Sequence, residues 1–287
     1  MFPPVVTKDP TAVGAEVQAA YLAMFPEGDP LFVTRVFGWA VECFTGHYAD
    51  YQAIDARYHD FEHTLQGTLC LARMLHARHR AGAEPPITER AFQLAIIGIL
   101  LHDTGYLKKR NDTKGTGAKY TATHVRRSAE FAAPLLREKG FNATDVTAVQ
   151  NMIRCTGIDA VLSEIHFQSE LEKLGGQALA TADLLGQMAA EDYVDKLPIL
   201  YAEFAEAARH DRGHTEFLTK FGNATDLVQR TPGFWHDYVL PKFNRELGAL
   251  HRYLNTPYPD GPNDYVQRIE ANMERIKNAT PETSRAK

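Results

Sequence analysis

The sequence predicts an all-α fold, a helical bundle with one helix at its centre. Three observations lead there. Nearly every long segment repeats its apolar residues at three- and four-residue steps. No run alternates with the two-residue period of a half-buried strand, and no hairpin turn signal joins two such runs. The run Ala91–Leu101 is apolar on nearly all sides, as in a helix surrounded by others.

In chain order, residues 1–13 contain prolines and read as irregular, and Ala15–Met24 and Val33–Tyr48 read as helices that wrap the core. Tyr58–His79 is the first strong helix, with Leu65, Leu69, Ala72 and Leu75 as its apolar stripe, and it stops before Gly82 and Pro85-Pro86. Thr88 is an N-cap candidate for Arg90–Leu101, because its hydroxyl can accept a backbone N–H. Residues 106–120 are polar, basic and glycine-containing, and read as a loop in which Gly115 and Gly117 would permit lid motion. Thr123–Lys139, stopped by Gly140, precedes Thr144–Cys155, capped by Thr144. Gln177–Ala190, Glu191–His210, Phe234–Leu254 and Tyr265–Ala279 complete the helices. Turns are expected at 231–233 and 257–262, and a disordered tail after Pro281. With no internal repeat, the chain reads as one domain: wrapping helices over 1–57, a core over 58–210, and C-terminal helices with the tail over 211–287.

The bulk composition excludes several classes. At 287 residues, 44% hydrophobic and 23% charged, the chain can bury an ordinary globular core. Its net charge of −5 gives no field for nucleic acid, and Lys108-Lys109-Arg110 is too short for a nucleic-acid patch. Cys43, Cys70 and Cys155 are odd in number and far apart, which suits reduced core thiols rather than a disulfide framework or zinc ribbon. No signal peptide is read at Met1-Phe2-Pro3-Pro4 and no run is long enough for a bilayer, so a cytoplasmic protein without a membrane partner is expected. The sequons at Asn142, Asn223 and Asn278 are then coincidental.

Chemistry concentrates in four places. His59 and His63 are four residues apart, which on a helix puts both imidazoles on one face. His102-Asp103 ends the central apolar run, and Asp183 is the lone carboxylate in a helix of small and apolar residues. Charge in such settings is costly unless paired or metal-bound. The simplest solution brings His63, His102, Asp103 and Asp183 onto one divalent cation. A mixed imidazole–carboxylate set accepts Mn, Fe, Zn, Ni or Mg, and an open position on such an ion lowers the pKa of bound water.

The order H…HD…D on an all-α bundle resembles the HD-domain superfamily of metal-dependent phosphohydrolases. Tyr58-His59-Asp60-Phe61-Glu62-His63-Thr64 is similar to the YHNxxH segment of the cyclic-nucleotide phosphodiesterases, with Asp60 in place of the Asn. The resemblance runs from about Tyr58 to about Gly186. It implies an HD-type helical bundle, with His63, His102, Asp103 and Asp183 as metal ligands and Asp103 also orienting the attacking water. His59 would be the general acid on the leaving alkoxide, or else a residue of the surrounding shell. His124 occupies a place where several HD families bind a second metal or the phosphate. The next helix, Asn151-Met152-Ile153-Arg154-Cys155-Thr156, lacks the His that would complete a second site. Lys108, Lys109, Arg110 and Arg154 are candidates for holding phosphate by charge-assisted hydrogen bonds, against a solvated basic loop.

The alarmone hydrolases, cyclic-di-GMP phosphodiesterases and deoxynucleotide triphosphohydrolases are set aside, since their further Glu-Asp, Gly-Tyr-Pro and His/Glu segments are absent. The expected function is hydrolysis of a small phosphate ester, a nucleotide-type mono- or diester, by a chain that can self-associate. A di-iron HD oxygenase acting on a hydroxylated or phosphonate substrate, and a non-catalytic nucleotide-binding module, are the competing readings.

Overall fold

The computed structural model describes residues 2–211 and 215–279, and they are helical with no strand among them. The tail after Pro281 lies outside the described residues. The helices are α1 (Pro10–Met24), α2 (Phe32–Phe44), α3 (Phe61–Arg80), α4 (Glu89–Leu101), α5 (His124–Glu138), α6 (Ala143–Arg154), α7 (Glu170–Met188), α8 (Tyr193–His210), α9 (Ala224–Gly233), α10 (Leu240–Arg245) and α11 (Asp264–Ala279). Among the described residues, no helix is long and apolar enough to cross a membrane.

The apolar run of α4 explains the arrangement. From Ala91 to Leu101 every residue but Gln93 is buried, and α2, α3, α6 and α7 pack around it. Thr88 caps it as expected, its hydroxyl accepting from Ala91 N–H. Helix α3 is buried continuously from His63 to Leu75, more than its stripe of leucines suggests, because α1, α4 and α7 cover different sides of it. One hydrophobic core extends from Val13 on α1 to Ile276 on α11.

Helices α3 and α7 make the closest approach. A Cβ on Gly186 would lie 2.7 Å from Gly67 N and 2.8 Å from Gln66 O, so only glycine lets the two backbones meet there. His63 lies one turn before Gly67 on α3, and Asp183 one turn before Gly186 on α7. The contact that the glycines permit therefore sets the distance between two predicted ligands.

Several boundaries differ from the sequence expectation, each for a local reason. Helix α3 begins at Phe61 because the Asp60 carboxylate accepts from His63 N–H, which makes Asp60 the N-cap and leaves His59 ahead of the helix. Asn142, not Thr144, caps α6 through Asp145 N–H. Helix α7 starts at Glu170, seven residues earlier than expected, on the Ser169 cap. The segment 231–233 is no turn: α9 runs through Pro232 into a π-helical stretch, Phe234–Val239, and on into α10. Short 3₁₀ turns occupy Thr104–Tyr106, leading into the basic loop, and Gly117–Tyr120 at its end.

Candidate metal centre

The ligand cluster forms where α3, the end of α4 and α7 meet. His63 projects from the first turn of α3, His102 is the C-cap of α4, Asp103 follows it into the 3₁₀ turn, and Asp183 comes from the middle of α7. His63 Nε2 lies 3.2 Å from Asp103 Oδ2 and 3.1 Å from Asp183 Oδ1. His102 Nε2 lies 3.4 Å and 3.3 Å from the same two oxygens. His102 and Asp103 are each 1% exposed. All four predicted ligands are thus brought together.

The donors suit a cation. Neighbouring donors that each bind one ion at about 2.1 Å stand roughly 3.0–3.4 Å apart, the edge of an octahedron or tetrahedron. Donor atoms of His63, His102 and Asp103 all lie within 4.8 Å of one another. His102 Nδ1–H donates to Ile99 O at 2.7 Å, so the neutral ring turns a bare Nε2 toward two carboxylates. That Nε2 and Asp103 Oδ2 are fully buried, with no hydrogen-bond partner among the described residues. Lone pairs facing lone pairs in a buried site require positive charge between them, as a proton or a metal ion. With both rings neutral, two carboxylates leave a charge that a divalent cation offsets.

Without an ion, the protons take that role. Burial works against charge on His63, but the facing carboxylates of Asp103 and Asp183 outweigh it and push its pKa up to about 10. His102 is raised for similar reasons against the same burial. Burial also opposes ionisation of Asp103, yet the facing His102 and His63 hold that carboxyl well below the usual range. Asp183 is held low in the same way.

Beside the cluster stands a second constellation. Glu203 on α8 accepts from the N–H groups of Arg57 and Tyr58, each at 2.7 Å, and its other oxygen accepts from His59 Nδ1 at 2.7 Å. The His59 ring stacks on Tyr106 at 4.5 Å, and Tyr106 stacks in turn on His124 at 4.7 Å. This column fixes both outer imidazoles. His124 Nδ1 donates to Thr121 O, and its Nε2 is 3.9 Å from Asp103 Oδ1. Asp103 therefore turns Oδ2 to His63 and His102 and Oδ1 toward His124. Burial holds His124 below the ordinary imidazole range, with Asp103 opposing. On the far side, Gln187 Nε2 donates to Asp183 Oδ1 at 3.2 Å, and the Tyr58 hydroxyl donates to Gln187 Oε1.

His59 and His63 are neighbours, 5.4 Å between ring centroids, although they do not share a helix face as the spacing suggested. The candidate phosphate-binding cations have other partners. Lys108 is buried, pairs with Asp55 at 2.7 Å and donates to Gly115 O. Lys109 sits over the Tyr51 ring at 3.7 Å, Arg110 donates to Gly46 O, and Arg154 donates to Asn151 Oδ1. The loop is tied further by Glu206, which accepts from Thr116 N–H and hydroxyl, and by Asp55, which accepts from Gly117 N–H. Sequence reasoning did not single out Glu203, Gln187 or Tyr106 as partners. Glu203 is one of several acidic residues on α8 with no distinguishing local pattern; Tyr106, three residues past Asp103, could have been found by proximity.

Residues 109–256 match a family model described as Npun_R2479-like. The chain belongs to the Npun_R2479-like family. The segment matched to that family includes His124, Asp183 and Glu203 and does not include His59, His63, His102 or Asp103. No curated protein matches the chain.

Proposed function

We propose that the chain is a divalent-metal-dependent hydrolase of small phosphate esters, of nucleotide type, with an HD-type centre. The observation that carries the reading is the pair of buried, unpartnered donors, His102 Nε2 and Asp103 Oδ2, inside a set of two imidazoles and two carboxylates. His63, His102, Asp103 and Asp183 would hold the ion. When bound, the ion supplies Lewis acidity toward a phosphoryl oxygen and acidifies water.

The protein's own residues supply the rest. His59 is beside the ligand cluster and keeps its Nδ1 proton on the buried Glu203 carboxylate, which leaves Nε2 to hand a proton to the leaving oxygen. The Tyr106 ring stands between His59 and His124 and stacks against both. Asp103 Oδ1 and the neutral His124 face one another, a position from which they can orient water or a phosphoryl oxygen.

The test is phosphorus NMR on a mixed pool of mono-, di- and cyclic nucleotides and simple phosphate esters, with manganese-loaded wild type against Asp103→Ala. A new resonance with wild type alone supports the reading and names the bond class. An unchanged pool overturns it. The two-sided placement of Asp103 also favours a second reading, a two-ion iron oxygenase, for which iron content and dioxygen uptake are decisive.

A further inference from the structure

A cavity of about 410 Å³ opens between the start of α5 and the end of α8. Among the described residues it is lined by Lys119, Tyr120, Thr123, Arg126, Arg127 and His210, with Asp211 as the one acidic side chain. Its size is that of a small-ligand site. Both helices also serve the metal centre: Thr123 directly precedes His124, and His210 lies seven residues beyond Glu203, on the same face of α8 and about 10 Å along it.

The charge in this cavity is incompletely offset. Lys119 meets Asp112, and Arg126 pairs with Glu130 at 2.8 Å. Arg127 has no carboxylate partner among the described residues. Its Nε and one terminal nitrogen donate to the carbonyls of Gly105 and Leu107, and its face lies on the Tyr120 ring at 3.5 Å. The guanidinium is thus held flat and still. Its remaining terminal nitrogen can donate to a phosphate oxygen through a charge-assisted hydrogen bond. The same side chain ties the cavity to the turn that carries Asp103, since Gly105 and Leu107 belong to it.

We propose that this cavity binds a second phosphoryl group of the substrate, making the preferred substrate a bisphosphorylated small molecule whose scissile ester lies at the metal centre. This rests on the phosphohydrolase reading for its second half only; the cavity's affinity for phosphate stands by itself. Arg127 is the anchor, Tyr120 keeps its plane, and Arg126 and His210 at the rim add hydrogen-bond donors.

The test measures binding of inorganic phosphate to chelator-treated protein by calorimetry, using wild type, Asp103→Ala and the rim variant Arg126→Glu/His210→Glu. Circular dichroism checks that each variant is folded. The expected result is equal phosphate affinity in wild type and Asp103→Ala, with at least about tenfold weaker binding in the rim variant. Equal binding in all three overturns the proposal, as does no binding to wild type. Phosphate binding lost in the rim variant, together with no turnover of any phosphate ester by metal-loaded wild type, keeps the cavity as a phosphate site and removes the hydrolase reading instead. If esters are turned over, the rim variant should raise KM for bisphosphorylated substrates at least about tenfold while leaving monophosphates unchanged. An equal effect on both classes overturns the assignment of the cavity to a second phosphoryl group.

Discussion

His59 and Glu203 share a 2.7 Å hydrogen bond across 144 residues of sequence. Glu203 is buried and stays ionised: burial opposes its charge, but His59 and the N–H groups of Arg57 and Tyr58 hold its pKa below the ordinary range. One carboxylate thus fixes both the backbone that leads into α3 and the ring on that backbone.

Replacing Glu203 with Gln keeps the size of the side chain and removes the charge. His59 then loses the partner that fixes its tautomer and orientation, while the four metal ligands are untouched. Turnover of any phosphate ester hydrolysed by wild type should fall about 10- to 100-fold with metal content unchanged, within the range that general acid catalysis supplies. Metal analysis beside steady-state kinetics checks this. Unchanged kcat would remove His59 from the proposed acid role.

Asp103→Ala removes the residue that faces three imidazoles. Because Asp103 follows the end of α4, its loss does not interrupt a helix, so the far-ultraviolet dichroism should stay helical. Bound metal after dialysis should fall to near zero. Full retention of one ion per chain would show that the cluster is not the metal centre.

How much of this centre could be read beforehand follows from what each residue's signal consists of. Asp183 is a lone carboxylate in an apolar helix and His102-Asp103 ends an apolar run, local contradictions that sequence displays, while His63 was legible from its four-residue spacing to His59. Glu203 is an acidic residue on a partly exposed helix, where acid is expected, and only the fold reveals that it faces inward. The central position of α4 was legible because its apolar residues leave no polar face. The continuity of α9 into α10 was not, since Thr231-Pro232-Gly233 reads as a break, and a π-helical stretch beyond it absorbs the irregularity. The His59–His63 spacing suggested a shared helix face; the Asp60 cap, a local competitor for the backbone, starts the helix between them.

Metal uptake should release protons. In the metal-free protein, His63 has its pKa raised to about 10, so near neutral pH it carries a proton that an ion must displace. Calorimetric titration of manganese at about pH 7.5 in two buffers of different ionisation heat should show at least about one proton released per ion. Affinity should rise with pH over the same range. Identical apparent enthalpies in both buffers would contradict this coupling.

His251 predicts a separate acid sensitivity, away from the metal centre. It is buried against Phe243 at 5.3 Å, and its Nδ1 lacks a partner. Burial first, and the charge of Arg252 second, bring its pKa down to about 4. The unfolded chain takes up this proton near the ordinary value of about 6.5, so between the two values the unfolded state binds more protons. The contribution of neutral His251 is therefore fully present above about pH 6.5 and is lost as pH falls toward 4, by up to about 3 kcal/mol. In denaturant titrations across that window, His251→Phe should lose stability less steeply than wild type. Parallel curves would remove His251 as the cause.

Gly186→Ala tests whether helix packing sets the ligand geometry. The added methyl would meet backbone atoms of Gln66 and Gly67 at 2.7–2.8 Å, and backbone cannot rotate away as a side chain can. Helix α7 must then move off α3, at a cost of about 1–3 kcal/mol typical of overpacking. The movement occurs one turn from both His63 and Asp183, so it widens the 3.1 Å gap between their donor atoms. The variant should melt several degrees lower without metal. It should also bind manganese at least about tenfold more weakly, even at temperatures where it is fully folded. Gly38→Ala is the control for a glycine replaced where an added Cβ meets no atom within 4 Å, and it should leave metal affinity unchanged. If Gly186→Ala lowers the melting temperature but binds metal as wild type does, the α3–α7 contact stabilises the bundle without setting the ligand spacing.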